Sequence, residues 1–465
     1  MSMSGTPGLE PRTAQRLGLA RIVGYGVGDF AFNLSFTFAS LFLLYFYTDI
    51  LEIPAGTAGL IIMVALIWEG ITDPIIGMIA NRTRSRWGRY RPYLLFGSVP
   101  LGISVAAMFL PLGLTGSALV AYCFATHLVY RTVFTLVNIP YIALSAQMTQ
   151  DSDTRGQLAA ARMLFAITCG LLLASLTLPV AKLLGGGQTG FFLVSIIYSA
   201  LAAAILLLTF ATTREDVTDA HADHPSIADM IATLRVNRAF LLLFAATAAG
   251  ATGYTMSGKA LVYYLKYWAG SEDMVTLGLV VTLGASALAM IPWMIVARRR
   301  SKRFVWLAGV GLNIAAYITI LALAPRGGTA LWLPLAMIGI GNSAFVLTFW
   351  SMLPDTVEYG EWKTGTRAEG AVFGLIAFSQ KIALGIGTGL IGVIMGWIGY
   401  VPNQPQSPDT LRGIVLLYGG GPLLLFAASA AIIAFYPLSG KTHRRIVHII
   451  ERRRVRARAG RSGIL

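Results

Sequence analysis

The stretch "IWEGITDPIIG", residues 67–77, sets two carboxylates, Glu69 and Asp73, inside a long apolar run. At about 100° per residue they lie some 40° apart on one helix face, with Thr72 beside them. A charge at the centre of a membrane helix costs about 2.5 to 3.5 kcal/mol on insertion scales. Such residues face a bundle interior or a wet cavity and are functional by default. Two neighbouring carboxylates repel unless a cation lies between them. The pair is therefore a natural site for a proton or Na⁺, and Thr72 and Thr135 would add neutral oxygens to a Na⁺ shell. Residue type alone leaves the two ions open.

Other polar groups recur at helical spacing. His127, Arg131, Phe134 and Asn138 fall within roughly 60° on one face, with Thr135 adjoining. Asp29, Asn33, Phe36 and Ser40 do the same in an earlier segment. A lipid-facing helix would not carry such stripes, whereas helices lining one aqueous cavity would. Arg162, Lys259 and Lys381 are further cations inside apolar segments. Structural ion pairing is the competing reading, and it suits Asp29, Lys259 and His127 better than the Glu69/Asp73 pair.

The elements that must hold these residues are membrane spans. The chain has 465 residues, 56% hydrophobic and 12% charged, against about 25% charged in soluble proteins. Its mean hydropathy is +0.68. With about 20 apolar residues as the measure of a span, twelve are expected: 23–48, 57–80, 92–111, 117–146, 158–183, 189–211, 240–265, 275–297, 304–324, 330–353, 370–397 and 413–436. The tails and even-numbered loops hold 28 of the 36 Lys and Arg residues, while the opposite loops hold Lys182, Lys266, Arg326 and Arg412. That asymmetry places both termini in the cytoplasm. The first residues lack the apolar core and small-residue cleavage site of a signal peptide, so the first apolar segment is expected to stay as a span.

The polar insert 212–239 divides the chain six plus six. The expected organisation is a cytoplasmic tail 1–22, a six-helix bundle 23–211, a linker 212–239, a second bundle 240–436 and a basic tail 437–465. "SRWGRYR" and "ARRRSKR" follow the second and eighth spans as matching basic loops. This is the layout of the major facilitator fold: an all-α membrane protein, twelve transmembrane helices in two six-helix halves. The arginine-rich end, "RRIVHIIERRRVRARAGR", reads as an amphipathic tail on anionic lipid rather than a nucleic-acid patch. Cys123 and Cys169 belong to no metal or redox motif. Only His127 of the five histidines lies in a span, which argues against an enzyme embedded in the membrane.

Long, position-specific motifs carry a family resemblance over nearly the whole chain. They are "YGVGDFAFN…LLYFYTD", "ITDPIIGMIANRTRSRWGRYRPYLLFG", "LVNIPYIALSAQMTQ", "DTVEYGEWKTGTRAEG", "SQKIALGIG" and "GWIGYVPNQPQ". The sequence resembles the glycoside–pentoside–hexuronide:cation symporters, which include the melibiose and glucuronide carriers, and within them it is most similar to the glucuronide carriers. The resemblance implies that Glu69 and Asp73 belong to the coupling-cation site, with Thr135 contributing. Arg162 and Lys381 match basic residues tied to sugar binding or coupling. Where the melibiose carrier grips sugar with two aspartates, this chain has Asn33 and Asn138.

Asn keeps donors and an acceptor for sugar hydroxyls but removes a charge that would repel a substrate carboxylate. Arg131 adds a fork-shaped cation that could take such a carboxylate, or neutralise Glu69 or Asp73. The expected substrate set is Asn33, Asn138, Arg131, Arg162, Gln380 and Lys381, and the expected substrate a glucuronide or other hexuronide. A neutral glycoside or pentoside, or a lipid moved by a relative of the same fold, is the alternative. The basic loop with Arg86 and Arg89, and the element bearing Asp355, Glu358, Glu361, Arg367 and Glu369, are expected to form charge-paired gates between the halves. No cofactor is implied beyond H⁺ or Na⁺. The expectation is a multi-pass monomer in a bacterial inner membrane, surrounded by lipid and binding no nucleic acid.

Overall fold

The structure, a computed structural model, describes residues 17–149, 152–215, 227–366, 368–438 and 440–462. Among these the chain is helical, because only structures that satisfy every backbone polar group internally survive in lipid. The first half comprises α1 (Leu19–Tyr45), α2 (Ala55–Arg82), α3 (Arg91–Met108), α4 (Gly116–Met148), α5 (Ser152–Leu183) and α6 (Gly187–Thr212). A short helix in the linker, α7 (Ile227–Val236), leads to the second half. That half comprises α8 (Arg238–Tyr263), α9 (Asp273–Arg299), α10 (Lys302–Leu323), α11 (Thr329–Thr364), α12 (Glu369–Trp397) and α13 (Pro408–Ile433), followed by α14 (Gly440–Ser462).

Eleven of these helices are long and apolar enough to cross a membrane. The remaining expected span is α3, the shortest of the twelve at 18 residues. Its first turn, "RPY", lowers its hydropathy, yet it packs between α4 and α6 like the other members of its half. Local chemistry starts several helices. The side chains of Asn237, Ser301 and Ser407 accept from the backbone N–H of Phe240, Phe304 and Thr410, capping α8, α10 and α13. At α3 the cap comes from afar. The Glu215 carboxylate, just beyond α6, accepts from the backbone N–H groups of Arg89, Tyr90 and Arg91 at 2.7, 2.7 and 3.1 Å. Gly88 makes this possible: its φ is +107°, and a Cβ there would sit 2.6 Å from that carboxylate.

Within the first half α1 packs on α5 and α6, and α4 on α2 and α3; within the second, α8 packs on α13 and α12, and α11 on α9 and α10. The halves meet chiefly where α2 lies along α12 and α5 along α9. Glycine allows the α2–α12 approach, since a Cβ on Gly59 would stand 3.0 Å from the Cα of Gly392. One π-helical turn extends the first helix of each half, Phe46–Ile50 after α1 and Tyr264–Trp268 after α8. The two turns meet at the end of the bundle opposite the chain termini.

Helix α11 runs eleven residues past its expected end at 353, so the "DTVEYGEWKT" element is part of a helix rather than a loop. Against it lies α14. The tail was expected to lie on lipid, yet its Ile446 and Ile450 are buried at 4% and 6% exposure within the protein. The start of the basic tail is therefore a docked helix.

Candidate cation and substrate site

In α2, Glu69 is fully buried, and the Asp73 side chain is 17% exposed. Pro74 follows directly, and its missing N–H removes one rung of the helix ladder beside the acids. The two carboxylates meet cations from two other helices. Arg131 on α4 donates to Glu69 Oε2 at 2.9 Å, and Lys381 on α12 donates to Glu69 Oε1 at 2.8 Å. Lys381 also pairs closely with Asp73 Oδ2, while Thr135 on α4 donates to Asp73 Oδ1 at 2.9 Å. Every carboxylate oxygen has a donor, and two positive side chains match two negative ones. Gly70 sets the approach of α12 here, because a Cβ on it would meet the Phe378 ring at 3.0 Å.

Of the two readings open for Arg131, a grip on a substrate carboxylate or neutralisation of the acids, its pairing with Glu69 fits the second. Its side chain is 2% exposed. Its Nε donates to His127 Nε2 at 3.0 Å, and its guanidinium stands 5.2 and 5.3 Å from the ring centres of Tyr130 and Phe36. Thr72, expected to supply an oxygen to the cation, turns back and donates to its own helix at the Glu69 carbonyl, 3.1 Å away. A hydroxyl one turn from a backbone carbonyl commonly makes that local bond.

Two of the expected sugar residues, Asn33 and Arg162, form a second group around Asp29 on α1. Arg162 on α5 holds Asp29 at 2.8 Å and stands over the Tyr141 ring, 5.2 Å from its centre. Asn33 donates to the Asp29 carbonyl at 2.8 Å and accepts from Thr37 at 2.9 Å. Tyr25 and Tyr141 stack below, each hydroxyl donating to the other's backbone carbonyl at 3.2 and 2.7 Å. Asn138 and Gln380 are half-buried. Lys259 is spent on the backbone, donating to the Ser40 carbonyl at 2.6 Å.

Asp355 and Glu358, expected to pair across the halves, find their partners within the second half. Lys302 at the start of α10 holds both oxygens of Asp355 at 2.7 and 2.8 Å, and His443 on α14 pairs with Glu358. Because α11 continues as a helix through these residues, they project onto α10 and α14. Arg86 stacks on its neighbour Trp87, 4.0 Å from the ring centre, and the backbone of Arg89 is held by Glu215 within the first half. Glu361 is half-buried and Glu369 exposed. Arg367 lies outside the described residues.

A third cluster was not singled out from the sequence. Asp49, in the turn after α1, is fully buried in its side chain and receives Lys266 at 2.7 Å, Tyr400 at 2.8 Å and Tyr267. Its backbone carbonyl receives the Asn403 amide. Close by, Thr48 and Tyr263 share a hydrogen bond at 2.8 Å, and Lys182 pairs with Asp273 at 2.8 Å. All of these contacts join the first half to the second at the end away from the termini. The signal lay in "YFYTD", "YLKYW" and "IGYVPN", three polar helix ends with no hint of their meeting.

The comparisons with known proteins agree with this architecture. Residues 24–440 match the model of the MFS/sugar transport protein family. The chain belongs to that family. It is 31% identical over 447 residues to a glucuronide carrier protein homologue of Escherichia coli (strain K12), covering 95% of this chain and 97% of that one. It is 30% identical over 452 residues to an uncharacterised symporter of Bacillus subtilis (strain 168), covering 94% and 96% of the two chains. Among solved structures it is similar to a nucleoside transporter, with a TM-score of 0.64, 13% identity, and coverage of 90% of this chain and all of that one. The protein is thus a multi-pass integral membrane transporter with the major facilitator fold.

Proposed function

We propose that the protein is a cation-coupled symporter of an acidic sugar, most closely a glucuronide or other hexuronide. The observation that carries the reading is Lys381. It sits on α12 of the second half and grips Glu69 and Asp73 on α2 of the first. A cation that binds these acids must displace Lys381, which ties occupancy of the site to how the two halves meet. The freed ammonium is then available to a substrate carboxylate. Asn33 and Asn138 offer hydroxyl partners without adding negative charge. Arg162 supplies a second cation, and the names of relatives at about 30% identity, a glucuronide carrier homologue and a symporter, point the same way.

In this reading sugar and cation bind between the halves, which rock to expose the site to one side at a time. The Asp49 cluster closes one end. Both termini lie in the cytoplasm of a bacterial cell, so the closed end faces outward. Reciprocity follows: a cation that tightens sugar binding is itself held more tightly when sugar is bound. The test is uptake by proteoliposomes carrying the full chain, under imposed proton or Na⁺ gradients, with unlabelled sugars as competitors. Glucuronides should compete strongly and neutral glycosides weakly. Competition by neutral glycosides alone would overturn the acidic-sugar assignment.

A further inference from the structure

Resting on the symporter reading, the geometry points to Arg131 as a resident counter-ion that takes the place of an inorganic cation at Glu69, so that transport draws on protons and not on Na⁺. The two cations at the acid pair differ in their freedom. Lys381 is 21% exposed and reaches in from the opposite half on a flexible stem. Arg131 is 2% exposed and comes from α4, which packs along α2 in the same half. His127 Nε2 accepts from its Nε, so that ring nitrogen carries no proton and adds no charge. Phe36 and Tyr130 present their ring faces to the guanidinium. Such a group cannot be exchanged when the halves move; it stays with Glu69 in every state.

The consequence is a matter of lone pairs. Na⁺ binds through several oxygens at once, whereas a proton needs one. When Lys381 withdraws, Glu69 Oε2 remains committed to Arg131, and the charge of Glu69 remains neutralised. A metal ion placed at Oε1 would face the guanidinium across the same carboxylate, in a setting that excludes screening water. Asp73 is faced by Lys381 from α12, by Thr135 from α4 and by Glu69 on its own helix, with Arg131 and His127 standing behind Glu69. Asp73 and Thr135 keep side-chain oxygens clear of the guanidinium, whereas Glu69 is left with Oε1 alone, so the site offers Na⁺ fewer free carboxylate oxygens than two unpaired acids would. Arg131 is in this sense a positioning residue: it acts on the coupling ion through Glu69.

The experiment compares the purified full-length protein with Arg131→Gln and Arg131→Lys, reading the thermal midpoint in NaCl against choline chloride at equal ionic strength. A ligand that binds the folded state raises that midpoint. The wild type and Arg131→Lys should show no Na⁺-specific shift, and Arg131→Gln should show an upward one. In the same Arg131→Gln protein Na⁺ should tighten binding of methyl glucuronide by at least about fivefold, the lower end of ordinary coupling between sites. A Na⁺-specific shift in the wild type overturns the proposal, even if Arg131→Gln does not fold. So does a folded Arg131→Gln that ignores Na⁺. Failure of sugar uptake under either gradient would remove the symport reading, while the thermal shifts would still decide the role of Arg131.

Discussion

Two carboxylate clusters join the halves of this transporter, and they are built on opposite principles. At the middle, Glu69 and Asp73 are matched one for one by Arg131 and Lys381, with Thr135 as the single neutral donor. At the end away from the termini, Asp49 has one cation, Lys266, and otherwise neutral donors: the Thr48 hydroxyl, two tyrosine hydroxyls and, at its backbone, an asparagine amide. Charge-for-charge pairing can be exchanged, because another cation can stand in for an ammonium. A cage of tyrosine and amide groups cannot be replaced by an ion. The first cluster is suited to sensing a transported cation, and the second to holding one end shut until the whole cage parts.

The contrast is broken most severely at Lys381. Replacing it by Ala leaves Glu69 with Arg131 but strips Asp73 of its cation, with the Thr135 hydroxyl still donating to it. Removing one partner of a buried pair typically costs about 3 to 5 kcal/mol. Lys381→Ala should therefore lower the thermal midpoint strongly and abolish coupled uptake, as differential scanning and proteoliposome assays would show. A stable, fully active variant would mean that the pairing does not matter.

Asp49→Asn tests the other cluster. It keeps the size of the side chain but loses the charge that Lys266 and both tyrosines hold. The end away from the termini should open more often while uptake continues. A Ser40→Cys reporter, in a background with Cys123 and Cys169 replaced by Ala, should react with a membrane-impermeant thiol reagent about tenfold faster, as a shift of ~1.4 kcal/mol between two states gives. Unchanged labelling would show that Asp49 is not a latch.

The smallest effect is expected at the opposite end. Lys302→Ala removes a pair whose members are 37% and 12% exposed and lie within one half. It should lower the thermal midpoint less than Lys381→Ala, because His443 remains 3.6 Å from Asp355, and leave uptake intact. A large loss of transport would restore Asp355 to a gating role.

What the sequence reveals follows from what is local. Helical spacing places Glu69 and Asp73 on one face, and groups His127, Arg131 and Thr135 on another, because both patterns depend only on the 3.6-residue period. Hydropathy finds the spans for the same reason, although α3, with "RPY" at its head, falls short of the measure used for the others. The partners are another matter. Lys381 lies 308 residues from Asp73, and their meeting depends on glycines that let α12 approach α2. Nothing in the spacing of "SQKIALGIG" says which helix it will touch. The Asp49 cluster was missed because tyrosines and charges at helix ends are ordinary interfacial residues. Hydropathy ended that span at 353, whereas α11 continues to Thr364 and turns Asp355 and Glu358 onto α10 and α14.

The central claim is that the acid pair on α2 couples a cation to the sugar. Asp73→Asn tests it most directly, since it keeps the hydrogen-bonding shape and removes the charge. In proteoliposomes with an inward cation gradient the wild type should accumulate labelled glucuronide above the external concentration. Asp73→Asn should still equilibrate the sugar but not concentrate it. Uphill accumulation by the folded variant, equal to that of the wild type, would contradict the account.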